Sequence, residues 1–142
     1  MRATTGNLEQ RIRNAHNIKE HLAAFFDEQI DIDLPSYLKE LQGQKNLSRS
    51  DIFVRGDIVK VTGSHVLTGE RHPTRDTALR FCFGLELDID QSQRLLRIAR
   101  HGELYARDKR DAVIMFCLEK KKTAVECNLL LQEENLPLLN EK

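Results

Sequence analysis

The stretch GSHVLTGERHPTRDTALRFCFGLEL, Gly63 to Leu87, decides how this 142-residue chain is read. Its first residues finish a short helix that stops at Thr68-Gly69, where glycine tolerates the left-handed backbone of a helix end. Thr74 then supplies an N-cap hydroxyl for the next helix. Ala78, Leu79, Cys82, Phe83 and Leu85 recur at a spacing that turns them toward a core. The stretch is therefore helix, turn, helix.

Capped helices recur on both sides of it. Asn7-x-x-Gln10 precedes a stripe of Ile12, Ala15, Ile18, Leu22 and Phe26, which predicts an N-terminal helix. Leu34-Pro35 opens another, since proline is tolerated in a first turn, with Tyr37, Leu38 and Leu41 inside and Gly43 near its end. Ser48-x-x-Asp51 has the form of a capping box, and its helix ends near Gly56-Asp57. A helix from about Val59 to Leu67 follows. Beyond Leu87, Asp88-x-x-Gln91, Asp108-x-x-Asp111 and Thr123-x-x-Glu126 open three more. AVIMFCL, Ala112 to Leu118, is apolar on nearly all sides, which predicts a helix central to the core. No segment alternates with period two. The expectation is an all-α chain of about eight short helices.

Composition narrows the function. No run reaches the ~18 apolar residues of a membrane span, and MRATTGNLEQ lacks a signal-peptide core, so a cytoplasmic address is expected. Cys82, Cys117 and Cys127 are odd in number and form no C-x-x-C pair, which predicts buried free thiols rather than disulfides or zinc. Histidines 16, 21 and 101 have no second ligand at metal spacing, so no metal and no cofactor are expected. Ser64 and His65 are adjacent, and adjacent helical side chains diverge, so they cannot act as nucleophile and base. With no glycine-rich phosphate loop either, no enzymatic activity is expected.

Net charge is zero, with 22 basic and 22 acidic residues, which disfavours strong non-specific binding to DNA. Residues 107–122 hold 6 of the basic and 3 of the acidic groups, including Arg107, Lys109, Arg110 and the run Lys120 to Lys122. A lysine run at a helix end ordinarily complements the helix dipole.

A shift of 35 residues lines up two stretches, 75–96 and 110–131. Arg75-Asp76 falls on Arg110-Asp111, Phe81-Cys82 on Phe116-Cys117, Asp88 and Gln91 on Thr123 and Glu126, and Leu95-Leu96 on Leu130-Leu131. Either two αα-hairpins bury their stripes against each other, or two amphipathic helix pairs resemble one another by chance. The two Arg-Asp steps are expected to be structural, aspartate at a helix start with arginine paired nearby.

The segment from Arg49 to Leu67 has the layout of two short helices joined by the turn Gly56-Asp57-Ile58. Asp57 stands where the turn calls for positive φ, and aspartate visits that region more readily than most residues. Gly63 sits inside the second helix, at a cost of ~1 kcal/mol against alanine.

From Pro35 to Leu87 the chain resembles the lambda-repressor-like helix-turn-helix superfamily. The most specific match is Gly69-x-Arg71-x-Pro73, followed by a helix ending in Leu85-Glu86-Leu87. The Leu34-x-x-Tyr37-Leu38 entry, Leu104-Tyr105-x-Arg107-x-x-Arg110-Asp111-Ala112 and the leucine-rich segment Asn128 to Leu139 resemble a small bacterial group of such regulators. The resemblance implies a helix-turn-helix core over 34–87, an N-terminal helix and connector over 1–33, and C-terminal helices over 88–142 carrying an additional hairpin.

It also implies a DNA-binding transcriptional regulator, a homodimer on double-stranded DNA. Val59, Lys60, Val61, Ser64 and His65 would face the major groove, with Arg49, Arg71 and His72 near phosphates. The glycine usual at the turn is Asp57 here. The reading helix has none of the arginine, asparagine or glutamine that bind base edges bidentately, although Lys60, Ser64 and His65 can hydrogen-bond bases and Val61 can touch a thymine methyl. The alternative is an interaction or adaptor module that keeps the scaffold and binds a protein partner through the C-terminal helices.

Overall fold

Side-chain caps set where most of the helices begin. The computed structural model describes residues 32–140, and among them seven α-helices follow one another without a strand. They are α1 (Leu34–Lys45), α2 (Arg49–Gly56), α3 (Lys60–Thr68), α4 (Arg75–Gly84), α5 (Ile89–Ile98), α6 (Lys109–Glu119) and α7 (Ala124–Glu133). The all-α expectation holds, and the N-terminal helix expected around residues 8–26 lies outside the described residues. Asp33, Ser48, Thr74, Asp88, Asp108 and Thr123 each accept a backbone N–H from the first turn of their helix. Ser48/Asp51, Asp88/Gln91 and Thr123/Glu126 close full capping boxes, which satisfy two orphan donors each.

Helix ends follow the same local chemistry. Asp57 closes α2 with φ 51° and ψ 50°, the left-handed conformation its position calls for. Gly69 closes α3 at φ 87°. No helix among the described residues is long and apolar enough to cross a membrane. Cys82, Cys117 and Cys127 are all buried and free, as expected from their apolar surroundings.

The centre of the core is α4. Every residue from Thr77 to Gly84 is buried, and the helix packs against α2, α5 and α7. Two glycines let α2 and α4 run against each other in opposite directions at very short range. A Cβ on Gly84 would sit 2.4 Å from the Ile52 carbonyl oxygen, and one on Gly56 would sit 2.5 Å from that of Arg80. Gly63 has a similar use: a Cβ there would fall 2.5 Å from the Phe53 ring, so the propensity lost in α3 admits the aromatic that joins it to α2.

The expected central helix, α6, is a correction. Ile114, Cys117 and Leu118 are buried, but Phe116 is 49% exposed. An apolar sequence on all sides does not itself bury a helix; it needs neighbours on all sides, and among the described residues α6 packs on α5 and α7.

The hydrogen bonds repeat at the same 35-residue offset as the sequence. Arg75 forks onto Asp111 at 3.2 and 2.9 Å, and Arg110 forks onto Asp76 at 3.1 and 3.0 Å. Arg75 also donates to the carbonyls of Gly102 and Glu103, and Arg110 to those of Pro137 and Leu138. The Tyr105 N–H reaches Asp111 and the Asn140 N–H reaches Asp76. Gln93 receives the Leu104 N–H, and Asn128 that of Leu139. Even the left-handed residues correspond, Glu86 with Lys121 and Arg100 with Asn135. Each half donates its arginine to the other half's aspartate, so the two hairpins are related by a local two-fold and joined by reciprocal bidentate pairs.

Candidate nucleic-acid interface

Of the described helices, α3 alone begins without a capping side chain. Its N-cap is Val59, its first turn holds no acid, and Lys60 is its first residue. The first N–H groups of a helix lack partners within it, and the helix dipole adds partial positive charge there. Elsewhere a side-chain oxygen answers that charge. At α3 a lysine adds to it. The start of this helix therefore carries positive charge that no side chain of its own first turn answers.

The outward side of α3 is set by what the inward side packs. Gly63 and Val66 are buried against the core. Positions 60, 61, 64, 65 and 68 then share the opposite face at helical spacing. Lys60 and Val61 are exposed, Ser64 and His65 half-buried, and Val59 stands exposed at the helix start. Arg49, the first residue of α2, and Arg71, just beyond α3, are exposed as well. Neither these arginines nor Lys60 make a side-chain hydrogen bond or ion pair among the described residues.

The two histidines are already engaged. His65 Nε2 lies 3.4 Å from a Glu70 carboxylate oxygen. His72 Nε2 donates to the Ala99 carbonyl at 2.7 Å, and His101 Nε2 to the Pro73 carbonyl at 2.8 Å. These two bonds cross between the 69–74 and 99–102 connections, with the imidazole rings 5.6 Å apart. His72 thus fastens the loop that carries Arg71 while remaining exposed.

No protein-family model matches the chain, and neither a curated protein nor a solved structure shows a significant match to it.

The site rests on its own geometry. The turn before α3 is held by Arg80, which is buried and donates to the Asp57 carbonyl, to Leu139 O at 2.7 Å and to Asn140 O at 2.9 Å. Its guanidinium also lies 3.2 Å from the Asp57 carboxylate. A buried cation so fully bonded fixes where α3 begins and ties that point to the last described residues.

Several other basic residues serve the fold. Lys45 and Lys121 both donate to the Glu86 carbonyl at 3.3 Å, and Arg55 pairs with the Glu86 carboxylate at 3.0 Å. Lys120 lies over the Phe116 ring. Of the lysine run, Lys121 thus complements the C-terminal end of α4.

The spacing read from the sequence places residues 60, 61, 64 and 65 on one face of α3, and two parts of its surroundings escaped that reading. Val54, in the last turn of α2, is 74% exposed, the most of any large apolar side chain described. The missing cap of α3 was also legible, because no Ser, Thr, Asn or Asp directly precedes Lys60.

Proposed function

We propose that this chain is a DNA-binding regulator of lambda-repressor-like helix-turn-helix type, with α3 as the reading helix. The observation that carries it is the uncapped, acid-free start of α3 with Lys60 on it, flanked by the exposed Arg49 and Arg71. In such an arrangement α2 crosses the backbone while the start of the second helix enters the major groove. Arg49 and Arg71 would hold phosphates and fix the register, and Val59, Lys60, Val61, Ser64 and His65 would face the bases.

Three cations are few for a specific complex, and the net charge of zero lends no general attraction. A homodimer on a two-fold site doubles the contacts. Selection from random duplex DNA, followed by affinity against salt, tests the reading. A palindromic enriched sequence is expected, and Lys60→Ala should weaken binding while lowering the salt slope by about 1. No enrichment together with no salt-dependent binding would overturn it.

A second reading has its own observation. In the first hairpin Phe81 is 1% exposed, on the helix that packs against α2; its counterpart Phe116 is 49% exposed. Arg94 of α5 stacks over Tyr37 of α1, whereas its counterpart Leu129 is 57% exposed. The second hairpin thus presents apolar faces that in the first are covered by α1 and α2, which suits an adaptor that binds a protein helix. A Phe116→Asp, Leu129→Asp variant that keeps DNA binding but loses a co-purifying partner would favour this role for the C-terminal helices.

A further inference from the structure

The specificity of α3 must come from something other than the usual polar readers. The helix has no arginine, asparagine or glutamine. His65 is held beside Glu70, and His72 is bonded to the Ala99 carbonyl. Ser64 is half-buried. Two apolar side chains also face outward at the helix start: Val59 is 51% exposed and Val61 62%. Lys60 lies between the two.

At this helix start exposed valines lie beside backbone N–H groups that no side chain caps. They suit a surface that is anionic at its edges and carries methyl groups within. The major groove of DNA is such a surface, where each thymine projects a C5-methyl group beside the phosphates. The cations Arg49, Lys60 and Arg71 match the phosphates in charge, and the valines match the methyls.

Resting on the DNA-binding reading above, we propose that Val59 and Val61 read thymine C5-methyl groups, so that specificity is carried by apolar contact rather than by bidentate hydrogen bonds. The recognised class is duplex DNA with thymine, or equally 5-methylcytosine, at defined major-groove positions. Lys60 anchors the helix end on a phosphate or a base acceptor.

The test uses the full chain and the duplex it selects from a random library. Each thymine of the selected site is replaced by deoxyuridine, which removes only the methyl and keeps base pairing and charge. At the contacted positions affinity should fall roughly four-fold per methyl, the worth of one buried carbon. A Val59→Ser, Val61→Ser variant, changed only at exposed positions, should keep its helical circular dichroism and lose sensitivity to deoxyuridine. At a contacted thymine changed to cytosine, 5-methylation of that cytosine should recover binding by the wild-type chain alone.

If the protein selects and binds a site but deoxyuridine costs nothing, the inference is overturned while the DNA reading stands. It is overturned equally if deoxyuridine costs the valine variant as much as the wild type. If no sequence is enriched and no salt-dependent binding occurs, both fall together.

Discussion

Two glycines of this chain make opposite demands on their neighbours, and the same substitution separates them. Among the described residues a Cβ on Gly43 meets nothing within 4 Å, so Gly43→Ala should raise stability by ~0.5–1 kcal/mol through helix propensity alone. At Gly84 the added carbon meets the Ile52 carbonyl at 2.4 Å, and Gly84→Ala should cost ~1–3 kcal/mol as α2 and α4 separate. Urea denaturation of both variants checks the pair; equal effects of one sign would contradict the packing described. The cysteines give a second residue-level expectation. Burial pushes the Cys82 thiol up to about 12, and the hydrogen bond to Cys117, followed by burial, raises that of Cys127. The Cys82 and Cys127 thiols should therefore resist an alkylating reagent at pH 8 in the folded chain and react in denaturant. Rapid labelling of Cys82 or Cys127 in the native state would show that the core opens.

At the scale of helices, the caps should govern the response to acid. The backbone N–H of Ser36 holds the Asp33 carboxyl below its ordinary range, and the N–H groups of Ser48 and Thr123 do the same for Asp51 and Glu126. A folded-state value below the unfolded one contributes stability that is present above the unfolded carboxylate range and lost as pH falls through the folded value. Unfolding midpoints should thus decline below about pH 4. The triple change Asp33→Asn, Asp51→Asn, Glu126→Gln should flatten that decline; an unchanged acid limb would assign it to other groups. Between helices, the crossed pairs Arg75–Asp111 and Arg110–Asp76 should each show a coupling of ~1–3 kcal/mol in a double-mutant cycle. Asp111→Asn should be the more harmful single change, because its carboxylate is the more buried. Additive effects would make both pairs ornamental. Helix starts were legible in the sequence because capping chemistry is local: Ser48, Thr74, Asp88, Asp108 and Thr123 each announce one. The partners of Arg75 and Arg110 were not, because which aspartate a guanidinium meets depends on how two hairpins cross. The same limit explains α6, whose apolar composition records a potential for burial that its surroundings leave half used.

For the whole molecule, neutrality makes salt a sharp probe. With Arg49 and Arg71 on phosphates and the charge of Lys60 in the groove beside them, the logarithm of affinity should fall with that of salt at a slope of roughly −3 per protomer. A slope several times steeper would bring the Arg107 and Lys109 region into the interface. Of the candidate site, the spacing of its face was readable from residues 59 to 65, whereas the roles of His65 and His72 depended on Glu70 and on a carbonyl far along the chain. The reciprocal closure of the two hairpins has a further consequence. A contact of this kind between separate subunits weakens on dilution, because each partner must find the other. Here a short tether fixes the local concentration, so the closure is independent of how much protein is present. Tethering also frees the halves from identity. Two subunits encoded once must be identical, but Ser92 and Cys127, or Gly84 and Glu119, occupy equivalent places here and differ. One half is the bed for α1 and α2, and the other has an open face.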